Sequence, residues 1–433
     1  MTETSFVRKE MLPESPAPVR DRGVAKWLRE NLFSGWFNSI LSVLLLVGLY
    51  YALSHFLAWA LQSSWSASSL KECREQIAAA YGEGTHGACW AVIRERFLQL
   101  MYGFYPSESY WRINLSFVML CVAIAPVLYP NLPRKMLWFS AVYPFLAFWL
   151  IWGDTIWGPL LSLAGFAIGA AVVRFASPVI GALGAIVLAI ILPILWWLFL
   201  VVPISGAISS VLPIGLEIVN SSKLGGFTLS VIIGVTGIAC SLPLGIALAL
   251  GRQSDLFIIK TVCIGFIEFI RGVPLITLLF VASVLLNYFL PPGTNFDIIL
   301  RVVIMVTLFA SAYMAEVVRG GLAALPKGQY EAADALGLDY FKAQRLIIMP
   351  QALKISIPNI VSTFIGLFKD TTLVAIISLM DPVGLTNAIR ADAAWNGVYW
   401  ELFAFIGLIF FIACFGMSRY SMYLERKLQT DHR

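Results

Sequence analysis

The chain has 433 residues, of which 59% are hydrophobic and only 13% are Asp, Glu, Lys or Arg, and its mean hydropathy is +0.82. This charged share is about half that of a usual soluble protein, so the sequence excludes a secreted enzyme, a disordered scaffold and a soluble nucleic-acid binder. The net charge of +5 comes from short cationic clusters between apolar runs, which indicate membrane topology rather than a nucleic-acid surface.

Residues 1–36 form a polar, proline-containing arm ahead of the first apolar run. The arm carries the cations Arg8, Lys9, Arg20, Arg22, Lys26 and Arg29. By the positive-inside rule, we expect this end of the chain to lie in the cytoplasm. The first apolar run begins near Phe37 and lacks the early apolar core and the cleavage site of a signal peptide, so it predicts a retained membrane helix.

About ten apolar windows follow, each long enough to cross about 30 Å of hydrocarbon. They lie near 37–62, 113–130, 136–152, 159–173, 179–202, 226–250, 257–289, 299–320, 353–380 and 400–418. Cations lie at the ends expected to be cytoplasmic: Arg134, Lys135, Arg174, Arg252, the stretch from Arg319 to Lys354, and Arg419 through Lys427. The sequence therefore predicts an all-α, multi-pass membrane protein with both termini in the cytoplasm.

The connection at 63–112 is polar, carries both signs of charge and lies on the side predicted to be outside. It contains Cys73 and Cys89, whereas the other four cysteines lie in apolar spans. Outside the cytoplasm, this pair could form a disulfide that adds on the order of 3 kcal/mol of stability. Two unrelated thiols are the alternative.

The two halves of the chain differ in character. From Gly225 onward, the apolar segments contain ionisable residues and a long cytoplasmic excursion. The sequence therefore divides near residue 220 into a transmembrane extension (37–220) and a core (221–427), followed by a short tail (428–433). No phosphate-binding loop, HExxH or CxxC motif is present, and His55, His86 and His432 are far apart. We expect no catalytic residues and no metal site.

The segment 326–350 predicts a helical elbow between two spans. Residues 329–336 are good helix formers, Gly337 can end this helix with a left-handed turn, and a second helix follows to Pro350. Tyr340, Ala343 and Ile347 would then share one face. An ordinary amphipathic loop on the bilayer surface is the alternative.

The run EAADALGLDYFKAQRLIIMP, from Glu331 to Pro350, resembles the EAA-x(3)-G-x(9)-I-x-LP signature of the permease subunits of bacterial ABC importers, with Met349 in place of the usual Leu. Four more stretches resemble the polar amino-acid branch of that family: 268–275, 319–321, 326–329 and 369–373. The resemblance covers about 225–427. The length and the five-span extension resemble the glutamate/glutamine/aspartate/asparagine or general L-amino-acid importers.

This resemblance implies that the elbow is a coupling helix that seats in a groove of a separate ATPase subunit. Glu331, Ala332, Ala333, Gly337 and Pro350 are the coupling positions carried over from the signature. It also implies that this chain binds no cofactor itself, because ATP and Mg²⁺ would bind to the partner ATPase.

Charged residues inside the C-terminal spans predict a substrate pathway, because a charge in the bilayer costs at least about 2.5 kcal/mol unless it faces a partner or water. Glu268 lies near the predicted midplane with Arg271 on the same face, and Gly272 and Pro274 break the helix there. Lys369 and Asp370, with Thr371 and Thr372, lie at a similar or slightly more external depth.

Together these groups could bind both ends of a zwitterionic amino acid. The alternative is purely structural, with Glu268 paired to Arg271 and Lys369 paired to Asp370 or to a partner subunit. Glu316 and Arg319 lie nearer the cytoplasmic end and predict a gate or an anchor for the elbow. The five N-terminal spans carry no interpretable motif; they could act as a scaffold, or the outer loop could help seat a soluble receptor.

The sequence therefore predicts an inner-membrane permease subunit of an amino-acid importer. Its expected partners are the lipid bilayer, a second, similar permease chain in a heterodimer, two ATPase subunits and a periplasmic amino-acid-binding protein, with no nucleic acid. The alternative is an ATP-independent, ion-coupled carrier or channel for small zwitterions. An internal inverted repeat would favour that alternative, and none is convincing.

Overall fold

A computed structural model describes residues 23–129, 131–285 and 297–428, and the chain divides after Ala91 into two compact units. The predicted cations Arg8, Lys9, Arg20 and Arg22, as well as His432, lie outside the described residues. So do residues 286–289 of the seventh predicted span and residues 429–433 of the tail.

The first unit contains three helices and a disulfide. The helices are α1 (Gly23–Asn31), α2 (Trp36–Leu61) and α3 (Leu70–Tyr81). α2 is apolar on all sides and has no buried residue, as expected of a helix surrounded by lipid. A disulfide joins Cys73 in α3 to Cys89, which follows this helix, with the two Sγ atoms 2.06 Å apart. The Trp90 indole donates to the Ala60 carbonyl and thereby ties this outer segment to the end of α2.

The second unit begins with the rest of the extension. Its elements are α4 (Ala91–Tyr102), α5 (Tyr110–Leu128), α6 (Met136–Trp152), β1 (Asp154–Thr155), α7 (Trp157–Leu195), α8 (Val201–Val211) and β2 (Gly215–Leu216). The two short strands pair antiparallel, with Asp154 opposite Leu216. A π-helical turn, Trp196–Leu200, connects α7 to α8.

The two spans expected near 159–173 and 179–202 are present, but their bounds differ from the prediction. The helix α7 continues through Pro178 and breaks at Gly181, whose φ is 78°. The two resulting apolar segments are Trp157–Gly181 and Gly184–Val211, both longer than predicted. Glycine allows this break because it adopts a positive φ without steric cost.

The core comprises the remaining helices. They are α9 (Gly226–Arg252), α10 (Phe257–Gly272), α11 (Leu275–Phe280), α12 (Ile298–Ala323), α13 (Lys327–Ala335), α14 (Tyr340–Ala343), α15 (Met349–Asp370), α16 (Pro382–Ala391) and α17 (Trp400–Leu428). π-helical turns, Val281–Leu285 and Gln344–Ile348, continue α11 and α14, and a 3₁₀ helix, Thr371–Ile377, continues α15.

Small residues allow α9 and α12 to pack closely at the centre of the core. A Cβ atom on Gly245 would be 2.6 Å from the Cβ of Met314, and one on Gly237 would be 3.2 Å from Val306 and from Leu367. Such small-residue contacts are the usual way in which helices approach each other in a membrane. They fix which turns of α9, α12 and α15 lie side by side.

The seventh predicted span is broken where the sequence predicts it. α10 and α11 meet at an angle of 102°, with Gly272 and Pro274 at the break. Within the described residues, eight helices are long and apolar enough to cross a membrane; this bent pair could add a ninth, and the shorter Met136–Trp152 is also apolar. The prediction of an all-α protein with about ten transmembrane helices is confirmed.

Candidate substrate pathway and coupling elbow

The elbow is a helix-turn-helix on the connection from α12 to α15. α13 ends as predicted at a left-handed glycine, Gly337, whose φ is 66°. The Gly337 N–H donates to the Asp334 carbonyl (2.9 Å), and the Leu338 N–H donates to the Ala333 carbonyl (3.2 Å). These two bonds satisfy carbonyls that a helix end would otherwise leave free. The turn is therefore a defined structure.

Asp339 starts the second arm of the elbow. Its carboxylate accepts the Lys342 N–H (3.0 Å) and pairs with the Lys342 ammonium (2.9 Å). These bonds hold the pKa of the Asp339 carboxyl below its usual range. The cap fixes the direction in which the chain leaves Gly337.

The coupling positions divide between the two sides of the elbow. Ala333 is buried and packs towards the core, whereas Glu331, Ala332, Gly337 and Pro350 are exposed. Beside them lie large exposed apolar side chains, namely Leu336, Tyr340, Phe341 and Leu346. The elbow thus presents an apolar, partly acidic surface that a partner groove could cover.

The expected common face of Tyr340, Ala343 and Ile347 is buried only in part. Ala343 is buried, and Ile347 packs on the buried apolar cluster that contains Met314 and Ile348. Tyr340, in contrast, is 55% exposed. The helix changes to a π-turn at Gln344, so the side-chain directions no longer follow the spacing of an α-helix.

An ionic network joins α9, α10 and α12. Nη1 of Arg252 donates to Oε1 of Glu316 (2.6 Å) and to Oε1 of Glu268 (3.0 Å). Arg319 approaches Oε2 of Glu316 with Nε and Nη2, each at 3.0 Å. Arg271 is held more loosely: its Nη1 is 3.8 Å from Oε2 of Glu316, and its guanidinium lies 5.6 Å from the Tyr313 ring centroid.

These contacts correct the structural alternative considered for Glu268. Its carboxylate pairs with Arg252 from α9 rather than with Arg271 on its own helix. Arg252 is the residue that sequence reasoning missed, since it was interpreted only as a marker of the cytoplasmic side. A lone cation at a helix end gives no local signal that it bridges two acids 16 and 64 residues away.

The network lies towards the predicted cytoplasmic ends of α9 and α12. Arg252 is the last residue of α9, and Glu316 precedes the last residue of α12 by seven positions, or about 10 Å along the axis. Glu268, expected near the midplane, therefore reaches the end of α9. Glu316 and Arg319, expected as a separate gate or anchor, belong to the same cluster as Glu268 and Arg271.

The other predicted pathway residues lie at a different level. Lys369 and Asp370 are the last two residues of α15. Leu367, just before them, packs in the same buried apolar cluster as Val306 of α12. Glu316 follows Val306 by ten residues on α12, or about 15 Å along the axis. The four predicted pathway charges are therefore not brought together around one point; they form an inner level and an outer level.

The two threonines of the outer level use their hydroxyls locally. Thr371 Oγ1 donates to the Phe368 carbonyl (2.8 Å), and Thr372 Oγ1 donates to the Lys369 carbonyl (2.9 Å). Thr371 is fully buried, whereas the Lys369 side chain is exposed. At this level, Lys369 and the half-buried Asp370 are the groups best placed to meet a charged ligand.

The four predicted pathway charges do not line the cavity found near α6. This cavity of about 410 Å³ lies between α6 and the start of α7, and is lined by Phe145, Phe148, Asp154 and Ser162, among others. Nor does any group of three or more His, Cys, Asp or Glu residues within the described ranges form a metal-binding cluster.

Comparison with known proteins supports the resemblance stated for the core and extends it over the extension. Residues 241–430 match the family described as "Binding-protein-dependent transport system inner membrane component". The chain is 59% identical over 434 residues, covering 100% of both chains, to the glutamate/glutamine/aspartate/asparagine transport system permease protein BztC of Rhodobacter capsulatus.

It is also 40% identical, over 96% of both chains, to the inner membrane amino-acid ABC transporter permease protein YhdY of Escherichia coli K12. A solved structure described as "Crystal structure of an amino acid ABC transporter with histidines" is 29% identical with a TM-score of 0.42 and covers 46% of this chain and 90% of its own.

Proposed function

The chain belongs to the family of binding-protein-dependent transport system inner membrane components, and on this premise we propose how it functions. It is a multi-pass permease subunit of an ABC importer for amino acids, with glutamate, glutamine, aspartate and asparagine as its substrate class. The observation that carries this proposal is the identity with the Rhodobacter relative, which extends over the extension as well as the core. The chain is a transport component rather than an enzyme.

Permeases of this family act with a separate ATPase and a soluble binding protein. We propose that this chain pairs with a second, similar permease chain as a heterodimer and with two ATPase subunits, which bind ATP and Mg²⁺. Both termini would lie in the cytoplasm. In this orientation the elbow faces the ATPases, and the disulfide-bonded segment after α2 lies outside, where thiols oxidise.

The elbow would transmit ATPase movement to the pathway. α12 ends at Ala323 and α13 begins at Lys327, so only 324–326 separate the coupling helix from the helix that carries Glu316 and Arg319. A displacement of α13 would therefore pull directly on the ionic network. We propose that Glu316 and Arg319 act as the cytoplasmic gate through this connection.

Arg271 is the group of the inner level best suited to bind the substrate carboxylate. It is the most loosely held arginine of the network, and it lies at the break between α10 and α11. Arg252 and Arg319 already make close hydrogen bonds to carboxylates. Lys369 and Asp370 would meet the ammonium and carboxylate groups earlier, at the outer level, beside Thr371 and Thr372.

Affinity capture of this chain from its native membrane in a mild detergent, with mass spectrometry of the bound proteins, tests the assembly. We expect an ABC ATPase and a second permease chain to be recovered with it. Recovery of the chain alone, under conditions in which a known importer complex stays intact, would contradict the proposal. Loss of labelled glutamate uptake on deletion of the chain, restored by its re-expression, tests the substrate class in the same strain.

A further inference from the structure

The ionic network does not balance its own charge. It contains three cations, Arg252, Arg271 and Arg319, but only two anions, Glu268 and Glu316, so it carries a net charge of +1. One carboxylate from a ligand would neutralise it. Which arginine can bind that carboxylate depends on which arginines already form hydrogen bonds to the two glutamates.

Arg252 makes hydrogen bonds to both glutamates. Its Nη1 is the donor to both carboxylates, and its side chain is only 25% exposed, so the charges are partly shielded from water. Arg319 takes the second oxygen of Glu316 with two nitrogen atoms. The Nη1 atom of Arg271 lies 3.8 Å from Oε2 of Glu316, which is beyond ordinary hydrogen-bond length.

Arg271 is the third cation of the network. It lies three residues after Glu268, on the same face of α10, and already borders Glu316. If Arg252 lost its charge, Glu268 would have no partner and Glu316 would have one fewer. Arg271 would then be drawn onto these carboxylates.

We infer that Arg252 is a positioning residue for substrate binding: by occupying Glu268 and Glu316, it keeps the Arg271 guanidinium available for the substrate carboxylate. This inference rests on the proposed function, since it requires Arg271 to bind substrate. It assigns to Arg252 an electrostatic role in affinity, beyond any cross-link it makes between α9 and α12.

Equilibrium binding of labelled glutamate to the purified permease–ATPase complex, without the soluble receptor, tests the inference. We expect Arg252→Ala to raise the Kd about tenfold, the value of one charged hydrogen bond. Adding Glu268→Gln to that variant restores the charge of +1 and releases Arg271, so the Kd should return to within about threefold of the original. Lys260→Ala serves as the matched control, because it removes an exposed cation of α10 that lies outside the network.

A purely structural Arg252 predicts a different pattern. The link from α9 to α10 and α12 is absent from the double variant as well, so Glu268→Gln would give no rescue. An unchanged Kd in Arg252→Ala, or a raised Kd without rescue, overturns the inference. If Arg252→Ala does not assemble, Arg252→Gln, which keeps a donor but removes the charge, provides the same comparison.

Arg271→Ala separates this inference from the proposed function. If Arg271→Ala leaves the Kd unchanged, or if the unaltered complex binds no glutamate, both Arg271 as the carboxylate site and the role of Arg252 are overturned. If Arg271→Ala raises the Kd and Arg252→Ala does not, only the role of Arg252 is overturned.

Discussion

Gly103 and Gly225 touch backbone to backbone, since a Cβ atom on Gly103 would be 2.5 Å from the Cα of Gly225. The contact continues on both sides: the Phe104 N–H donates to the Lys223 carbonyl (3.1 Å), and Thr228 Oγ1 donates to the Met101 carbonyl (2.9 Å). The segment after α4 is therefore joined to the start of α9 at a place where no side chain fits. The extension and the core share this contact within one compact unit.

Gly103→Ala should destabilise the protein by about 2 to 4 kcal/mol, because alanine is strained at a φ of 69° and its Cβ would displace the Gly225 backbone. Thermal unfolding in detergent, followed by size-exclusion chromatography, measures the effect. Gly407→Ala on α17 is the control, because nothing lies within 4 Å of a Cβ at that position. Equal unfolding midpoints for the two variants would contradict the close contact.

Asp381 makes stability depend on pH. It caps α16 by accepting the N–H groups of Val383 (3.2 Å) and Gly384 (2.9 Å), and it is fully buried. Burial raises the pKa of its carboxyl from 3.8 to about 6, because the charged form loses its hydration. The folded state thus holds this proton more tightly than the unfolded state does. The stabilisation is complete below pH 3.8 and is lost as the pH rises through about 6.

Asp381→Asn should remove this dependence while keeping an oxygen that can accept the Gly384 N–H. Relative to the variant, the original protein should lose about 2 to 3 kcal/mol of stability between pH 4 and pH 7. Unfolding midpoints of the two proteins at matched pH values measure the difference. A constant difference across this range would show that the Asp381 carboxyl does not titrate there.

The membrane spans and the broken helix could be predicted because their signals are local. A long apolar window identifies a span wherever it lies, and Pro274 lacks an N–H whatever surrounds it. The end of α13 at Gly337 has the same origin, since only a residue tolerant of positive φ fits there. These features depend on a few neighbouring residues and on nothing further along the chain.

The ionic network could not be predicted because it depends on the register of three helices. Arg252 meets Glu316 only because Gly245 packs against Met314 and thereby fixes how far α9 and α12 are shifted along each other. Hydropathy gives no information on this shift. Counting residues along one helix placed Glu268 near the midplane, whereas its carboxylate lies 3.0 Å from Nη1 of Arg252, the last residue of α9.

The disulfide between Cys73 and Cys89 should stabilise the outer segment of the first unit. The two residues are 16 positions apart, and closing a loop of this size contributes about 3 kcal/mol in the chain-entropy model. Replacing both residues by serine should make the segment around α3 sensitive to protease at lower protease concentrations. Cys121→Ser is the control, because Cys121 is not disulfide-bonded. Equal digestion of the double variant and the control would contradict a stabilising bond.

Gly337→Asp should abolish ATP-driven uptake while leaving the chain inserted in the membrane. It places a new charge on the exposed turn between α13 and α14, beside the apolar side chains of Leu336 and Phe341, which a partner groove would have to cover. A buried, unpaired carboxylate opposes such docking strongly. Labelled glutamate uptake in cells, with the amount of membrane-inserted chain measured in parallel, gives the result.

Gly337→Asn separates the effect of charge from that of backbone strain. Asparagine and aspartate both tolerate the left-handed conformation and are nearly equal in size, but only aspartate carries a charge. We expect the asparagine variant to retain uptake within about threefold, since relaxing into this conformation costs it little. Equal loss of uptake in both variants would mean that the turn needs glycine itself, and normal uptake by Gly337→Asp would remove the elbow from the coupling pathway.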